Sequence, residues 1–201
     1  MEMVLDVARL LEHLKIKKAH VVGYSMGAGI TAKLLGTRPD LLLTATLGGS
    51  AGFREGGTAI GFLDVLAESL EQGKGFGPLI QALTPANQPR PTEEQIQSAN
   101  ARISAGNDVQ ALAAVVRGFR AFAVSAEKLT ANGVPVHAII GDLDPLKAGV
   151  DALVQEMPSL KVTVIEGADH MDAFARPEFL KSLTAFLAAH GAAAKTEGPR
   201  R

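Results

Sequence analysis

Ala19-His20-Val21-Val22-Gly23-Tyr24-Ser25-Met26-Gly27-Ala28-Gly29-Ile30-Thr31-Ala32-Lys33-Leu34-Leu35 is the stretch on which the reading of this chain turns. It opens on a short apolar run and ends in a helical pattern, and between them Gly23 to Gly27 fits G-x-S-x-G. A strand turning sharply into a helix strains the backbone of the central serine. Glycines two residues to either side are expected because a Cβ there would collide with neighbouring backbone. Ser25 is therefore the candidate nucleophile. Gly23, Tyr24 and Gly27 complete the turn, and the Met26 amide faces any oxyanion formed beside Ser25.

Working outward, Val4, Leu5, Val7, Ala8, Leu11 and Leu14 recur near helical period and predict one amphipathic helix over 2–14. Residues 19–23 read as a short buried strand, followed by a helix ending near Gly36 before Arg38-Pro39-Asp40. A second apolar strand covers 41–47 and runs into Gly48-Gly49. From Ser50 to about Asn132 the character changes: glycines and Pro78, Pro85, Pro89 and Pro91 punctuate helical stretches at 58–71, 92–105 and 109–123, with no strand signal. Strands return at 134–141 and 161–166, with a helix at 149–157 between them. A last helix spans 177–190, with Pro177 in its first turn and Gly191 at its end. Residues 191–201 lack apolar periodicity and are expected to be a mobile tail.

Strands alternating with helices imply a mostly parallel sheet of about four strands, an α/β fold with a helical insertion. The expected division is a core of 1–50 and 133–190, a helical cap of 51–132 and the tail. In such sheets chemistry sits outside the carboxyl ends of the strands. Three loops there carry candidate groups in the order Ser25, then Asp142 and Asp144, then His170.

Composition narrows the partners. The chain has 201 residues, enough for one domain that buries roughly 70% of its unfolded surface. Twenty Lys and Arg against 21 Asp and Glu leave a net charge of −1, so neither nucleic acid nor an anionic membrane is an expected partner. A small molecule is. Without cysteine there is no disulfide framework, thiolate metal site or thiol nucleophile. No stretch approaches the length of a membrane span, and no basic-then-apolar leader follows Met1; the expected location is the cytoplasm. No His or carboxylate cluster has metal-ligand spacing, and neither metal nor cofactor is expected.

An alcohol of ordinary pKa needs a base that takes its proton during attack and returns it to the leaving group, and a histidine suits both steps. His170 is the best placed. Its other ring nitrogen needs an acceptor to hold the tautomer, a task that Asp144 or Asp142 could perform.

Gly23-Tyr24-Ser25-Met26-Gly27, the Gly141-Asp142-Leu143-Asp144-Pro145 loop and Gly167-Ala168-Asp169-His170 leading to Pro177-Glu178-Phe179 together resemble the α/β-hydrolase fold family. The resemblance covers about 2–49 and 133–190. It implies that the acid is Asp144, that Met26 supplies an oxyanion-hole amide and that 51–132 lies where the family inserts a variable cap. Asp169 departs from the glycine common before the family's histidine. Family members begin with four further strands, one followed by a loop supplying the second oxyanion amide. The resemblance therefore implies an N-terminally truncated fold, with 19–23 left as a sheet edge and self-association covering it. Gly48-Gly49-Ser50-Ala51-Gly52 is a candidate substitute donor.

The implied activity is a serine hydrolase cleaving small carboxylic esters through an acyl-enzyme. Carbon–carbon bond and thioester hydrolysis use the same machinery, and a catalytically silent interaction module is the alternative from another class. His13, His20, His137 and His190 are expected to be structural, and Asp142 a turn former. The segments 48–52 and 73–77 lack the ending of a phosphate loop and read as turns, while Glu93-Glu94 reads as a solvated helix start.

Overall fold

A computed structural model describes residues 2–55 and 59–191. Helix α1 (Glu2–His13) leads into strand β1 (Ala19–Tyr24), helix α2 (Met26–Thr37) and strand β2 (Leu42–Gly48). A helical segment follows, comprising α3 (Ala59–Glu71), α4 (Gly77–Ala82), α5 (Glu93–Ala105), α6 (Val109–Gly118) and α7 (Ala126–Thr130). Strand β3 (Val136–Gly141), α8 (Lys147–Glu156), β4 (Lys161–Ile165) and α9 (Pro177–His190) complete the described chain. The strands form one parallel sheet in the order β1-β2-β3-β4, as the alternation of elements predicts.

The two-residue period of β3 explains how the sheet is covered on both faces. Val136, Ala138 and Ile140 join one core with Leu34 and Leu35 of α2, Val150 and Leu153 of α8 and Val4 of α1. Ile139 points the other way, into a cluster with Ile165, Ala168 and Phe179 of α9. Every residue of β3 is buried and nearly every residue of β2, whereas β1 and β4 are half exposed. The strand at 19–23 is thus an edge among the described residues, and its apolar sequence does not make it the buried strand it reads as: Val22 is 43% exposed.

Other expectations need correcting. Helix α2 ends at Thr37, beside Gly36 and before Arg38 as expected, but Gly36 is also a packing residue: a Cβ there would lie 2.6 Å from Val124 Cγ2. Leu5 in α1 and Leu14 just after it belong to the apolar pattern yet are 37% and 54% exposed, and Val4 and Leu11 are the residues that α1 buries. The helix expected at 109–123 ends at Gly118 and tightens into a 3-10 turn at Phe119–Phe122. The short α4 and α7 had no sequence signal strong enough to register. The tail falls on 192–201, outside the described residues.

A second core belongs to the helical segment, where Leu63, Leu66, Leu70, Phe76, Ala113 and Val116 bury one another. Thr92 begins α5 with a capping box, its hydroxyl accepting from Gln95 N while the Gln95 side chain accepts from Thr92 N. The two arms of this segment are pinned where they meet the sheet region. Arg54 and Val124 form an isolated parallel bridge, Val124 N donates to Phe53 O at 3.0 Å, and Arg54 pairs with Glu156 of α8. Among the described residues of this segment there is no strand, as expected; the single bridge only closes its two ends.

Candidate active site

Ser25 has φ 53° and ψ −112°, a left-handed backbone that costs a non-glycine residue of order 1–3 kcal/mol. The turn is held by Ser25 N donating to Gly48 O at 2.8 Å and by Ala28 N donating to Ser25 O at 3.0 Å. Of the two glycines flanking Ser25, Gly23 is the one that packing requires. A Cβ on Gly23 would lie 2.0 Å from Gly27 O and 2.5 Å from Thr31 Oγ1, so glycine is required there. A Cβ on Gly27 would meet nothing within 4 Å, and no described residue explains its glycine.

The acid and base loops are stitched together by the same device. Leu143 N donates to Ala168 O at 3.0 Å and Asp142 N to Ile165 O at 3.1 Å. A Cβ on Gly141 would lie 2.1 Å from Ala168 O, so the close approach of the two loops requires glycine at that position. This brings Asp144 and His170, separated by a strand and a helix in sequence, to hydrogen-bonding distance.

His170 Nδ1 lies 2.8 Å from Asp144 Oδ2, and His170 Nε2 lies 2.9 Å from Ser25 Oγ. A carboxylate only accepts, so the ring proton sits on Nδ1 and Nε2 is left to accept the Ser25 hydroxyl hydrogen. Asp144 Oδ1 also accepts from Leu146 N at 2.8 Å, so both oxygens are held. Asp144 and His170 are buried, while Ser25 is partly exposed. The arrangement can carry a proton from hydroxyl to imidazole as the oxygen attacks an electrophile, the carboxylate stabilising the imidazolium that results. The Met26 amide begins α2 and has no acceptor among the described residues, so this helix-terminal donor is free to receive negative charge.

Asp142 is exposed and takes no part in this chain of bonds. Asp169, the departure beside the histidine, turns its carboxylate to the local backbone: Oδ1 accepts from Met171 N at 2.8 Å. In the loop after β2, Gly49 N donates to Ile139 O and Gly52 N to Ser50 Oγ, which commits two of the amides considered as substitute oxyanion donors.

Tyr24 was legible only as a filler of the turn, yet its hydroxyl donates to His170 O at 2.7 Å and its ring packs against His170, Phe174 and Phe179. Gly48-Gly49 makes room for it, since Cβ atoms there would lie 2.7 Å from Tyr24 Cδ2 and 2.6 Å from Tyr24 Cζ. The paired glycines were the available signal.

The model of the alpha/beta hydrolase family matches residues 2–182 of this sequence. The chain belongs to that family. Among curated proteins none matches. A carboxylesterase structure from the ammonia-oxidizing thaumarchaeon Nitrososphaera gargenis is similar at TM-score 0.73 and 20% identity, over 94% of this chain and 72% of the other. A thermophilic esterase from Thermogutta terrifontis gives TM-score 0.73 at 20% identity, over 94% and 71%. The putative non-heme bromoperoxidase BpoC from Mycobacterium tuberculosis H37Rv gives 0.68 at 24%, over 94% and 73%. At these identities the likeness is one of fold. Within this alpha/beta hydrolase the hydrogen-bonded Ser25, His170 and Asp144 sit at the carboxyl ends of β1, β4 and β3, the end at which such sheets place their chemistry. Among the described residues no helix is long and apolar enough to cross a membrane.

Proposed function

We propose that this chain is a serine hydrolase of carboxylic esters, with Ser25 as nucleophile, His170 as general acid and base, Asp144 as the orienting carboxylate and Met26 N–H as an oxyanion donor. The observation that carries the reading is the continuous hydrogen-bond chain from Asp144 through His170 to Ser25, ending at a cavity. Ser25 Oγ attacks the ester carbonyl carbon while its proton passes to His170 Nε2. The carbonyl oxygen gains the negative charge and turns to Met26 N–H. As the tetrahedral adduct collapses, the carbon–oxygen bond to the alcohol breaks and the imidazolium protonates the departing oxygen. Water then attacks the acyl-enzyme, giving its proton to Nε2, and the carboxylic acid leaves as Ser25 Oγ recovers a proton.

Loss of hydrolysis on Ser25→Ala is the direct test. Activity of the purified protein on p-nitrophenyl esters should fall by a factor on the order of 10⁴ or more. Ester hydrolysis unchanged by that substitution overturns the reading.

A further inference from the structure

The cavity at Ser25 has a volume of about 650 Å³, well within the range of pockets that enclose small organic ligands. Its walls come from three helices of the helical segment, through Leu66 on α3, Leu79 on α4 and Leu112, Val115 and Val116 on α6, with Phe76 just before α4. Among the described residues the side-chain oxygens on its lining are the hydroxyls of Ser25 and Ser50, and Ser50 Oγ already accepts from Gly52 N at 3.0 Å. No charged side chain among the described residues lines it.

A second cavity, of about 560 Å³, has a different chemistry. It shares Leu79 and Leu83 with the first, so α4 and the residue after it form the wall between them. Its lining includes Arg102, Asp169 and Gln88 but not Ser25. Charge therefore lies on one side of this wall, and the reactive hydroxyl opens on the other.

We infer that the acyl half of the substrate is an uncharged hydrocarbon chain seated in the cavity walled by α3, α4 and α6. This rests on the ester-hydrolase reading of Ser25. A charged acyl group entering this cavity would lose its hydration without gaining a partner, a cost of several kcal/mol. A hydrocarbon chain gains about 0.8 kcal/mol for each methylene removed from water, which is close to fourfold in kcat/KM per methylene until the cavity is full. The acyl half is assigned here because it stays on Ser25 Oγ through the second half-reaction. The alcohol departs after the first, so a fixed seat serves it only through acylation.

Three substrate series on the full chain test this: p-nitrophenyl esters from acetate to dodecanoate, acetates of alcohols of increasing length, and a p-nitrophenyl hemisuccinate beside the butyrate. The expected result is a kcat/KM rising severalfold per methylene along the acyl series and then levelling, a flat alcohol series, and a hemisuccinate at least about a hundredfold poorer than the butyrate. Val115→Asp should cut the octanoate-to-acetate ratio by at least tenfold, with the fold checked by circular dichroism. A small fluorophosphonate, its adduct mapped by mass spectrometry, separates the two readings. Labelling at Ser25 with a flat acyl series, or with the slope in the alcohol series, overturns the inference and leaves the hydrolase reading standing. No label and no hydrolysis of any ester overturns both.

Discussion

The Tyr24 hydroxyl, one residue before Ser25, donates to the backbone carbonyl of His170 at 2.7 Å. The turn carrying the hydroxyl is thus tied directly to the loop carrying the imidazole, independently of the bond between Ser25 and His170 themselves. Burial first, and then the nearby charges of Asp144, Asp169 and Asp172, raise the Tyr24 pKa above its ordinary value, so the phenol keeps its proton and remains a donor. Tyr24 is a positioning residue in this reading.

Tyr24→Phe should keep the ring packing and lose this bond, costing about 1 kcal/mol of stability. If the same loss is felt at the barrier, kcat falls about fivefold. Steady-state kinetics should show the loss in kcat with KM little changed; an unaltered kcat would make the bond purely structural.

Asp144→Asn should leave the fold intact and disable the base. The amide can donate to Nδ1 and so favour the tautomer with its proton on Nε2, where Ser25 needs an acceptor. A loss on the order of 10³–10⁴ in kcat for a p-nitrophenyl ester is expected. Asp142→Asn, at the exposed neighbour, should stay within about twofold of the parent, a change of at most about 0.5 kcal/mol.

The glycines make opposite predictions. Gly141→Ala forces a Cβ to within 2.1 Å of Ala168 O, a backbone atom that moves only with the histidine loop. Urea denaturation should show a loss of about 1–3 kcal/mol, accompanied by loss of activity. Gly27→Ala meets nothing within 4 Å and adds a better helix former to α2, so stability should rise by up to about 1 kcal/mol. A large destabilisation there would restore the steric requirement expected from the motif.

His137 ties stability to pH. It is fully buried on β3, with Nε2 3.0 Å from Thr163 Oγ1 and Nδ1 without a partner among the described residues. Burial, with Lys161 adding repulsion, lowers its pKa from 6.5 to about 4. The unfolded chain therefore binds a proton more readily than the folded one between these values. The stability from neutral His137 is present above pH 6.5 and is lost as pH falls toward 4, by up to about 3 kcal/mol. Urea midpoints measured across that window should decline, and His137→Gln should flatten the decline.

Much of the sheet and of the candidate site was legible in the order of residues, because local chemistry constrained it. Apolar runs bounded by glycine and proline marked β1 to β4 within two residues, and the turn at Ser25, the aspartate loop and the histidine loop followed from strand ends. What stayed illegible depended on distant partners. Gly36 reads only as a helix-end signal and is also the seat of Val124; Leu5 of α1 and Leu14 just beyond it fit an apolar pattern that the fold leaves partly exposed. The short α4 carries too few residues for a periodicity, yet it is the wall between the two cavities.

By itself the sequence determined which residue types could do the chemistry and that they would gather at one end of a parallel sheet, since motif, strand and helix are local properties. Tertiary structure alone decided how closely Asp144 approaches His170, that Gly141 is needed and Gly27 is not, and that the cavity at Ser25 is lined by hydrocarbon. These turn on distances between segments far apart in the chain, which are set by how α2, α8 and α9 pack on the sheet and how α3, α4 and α6 pack beside Ser25.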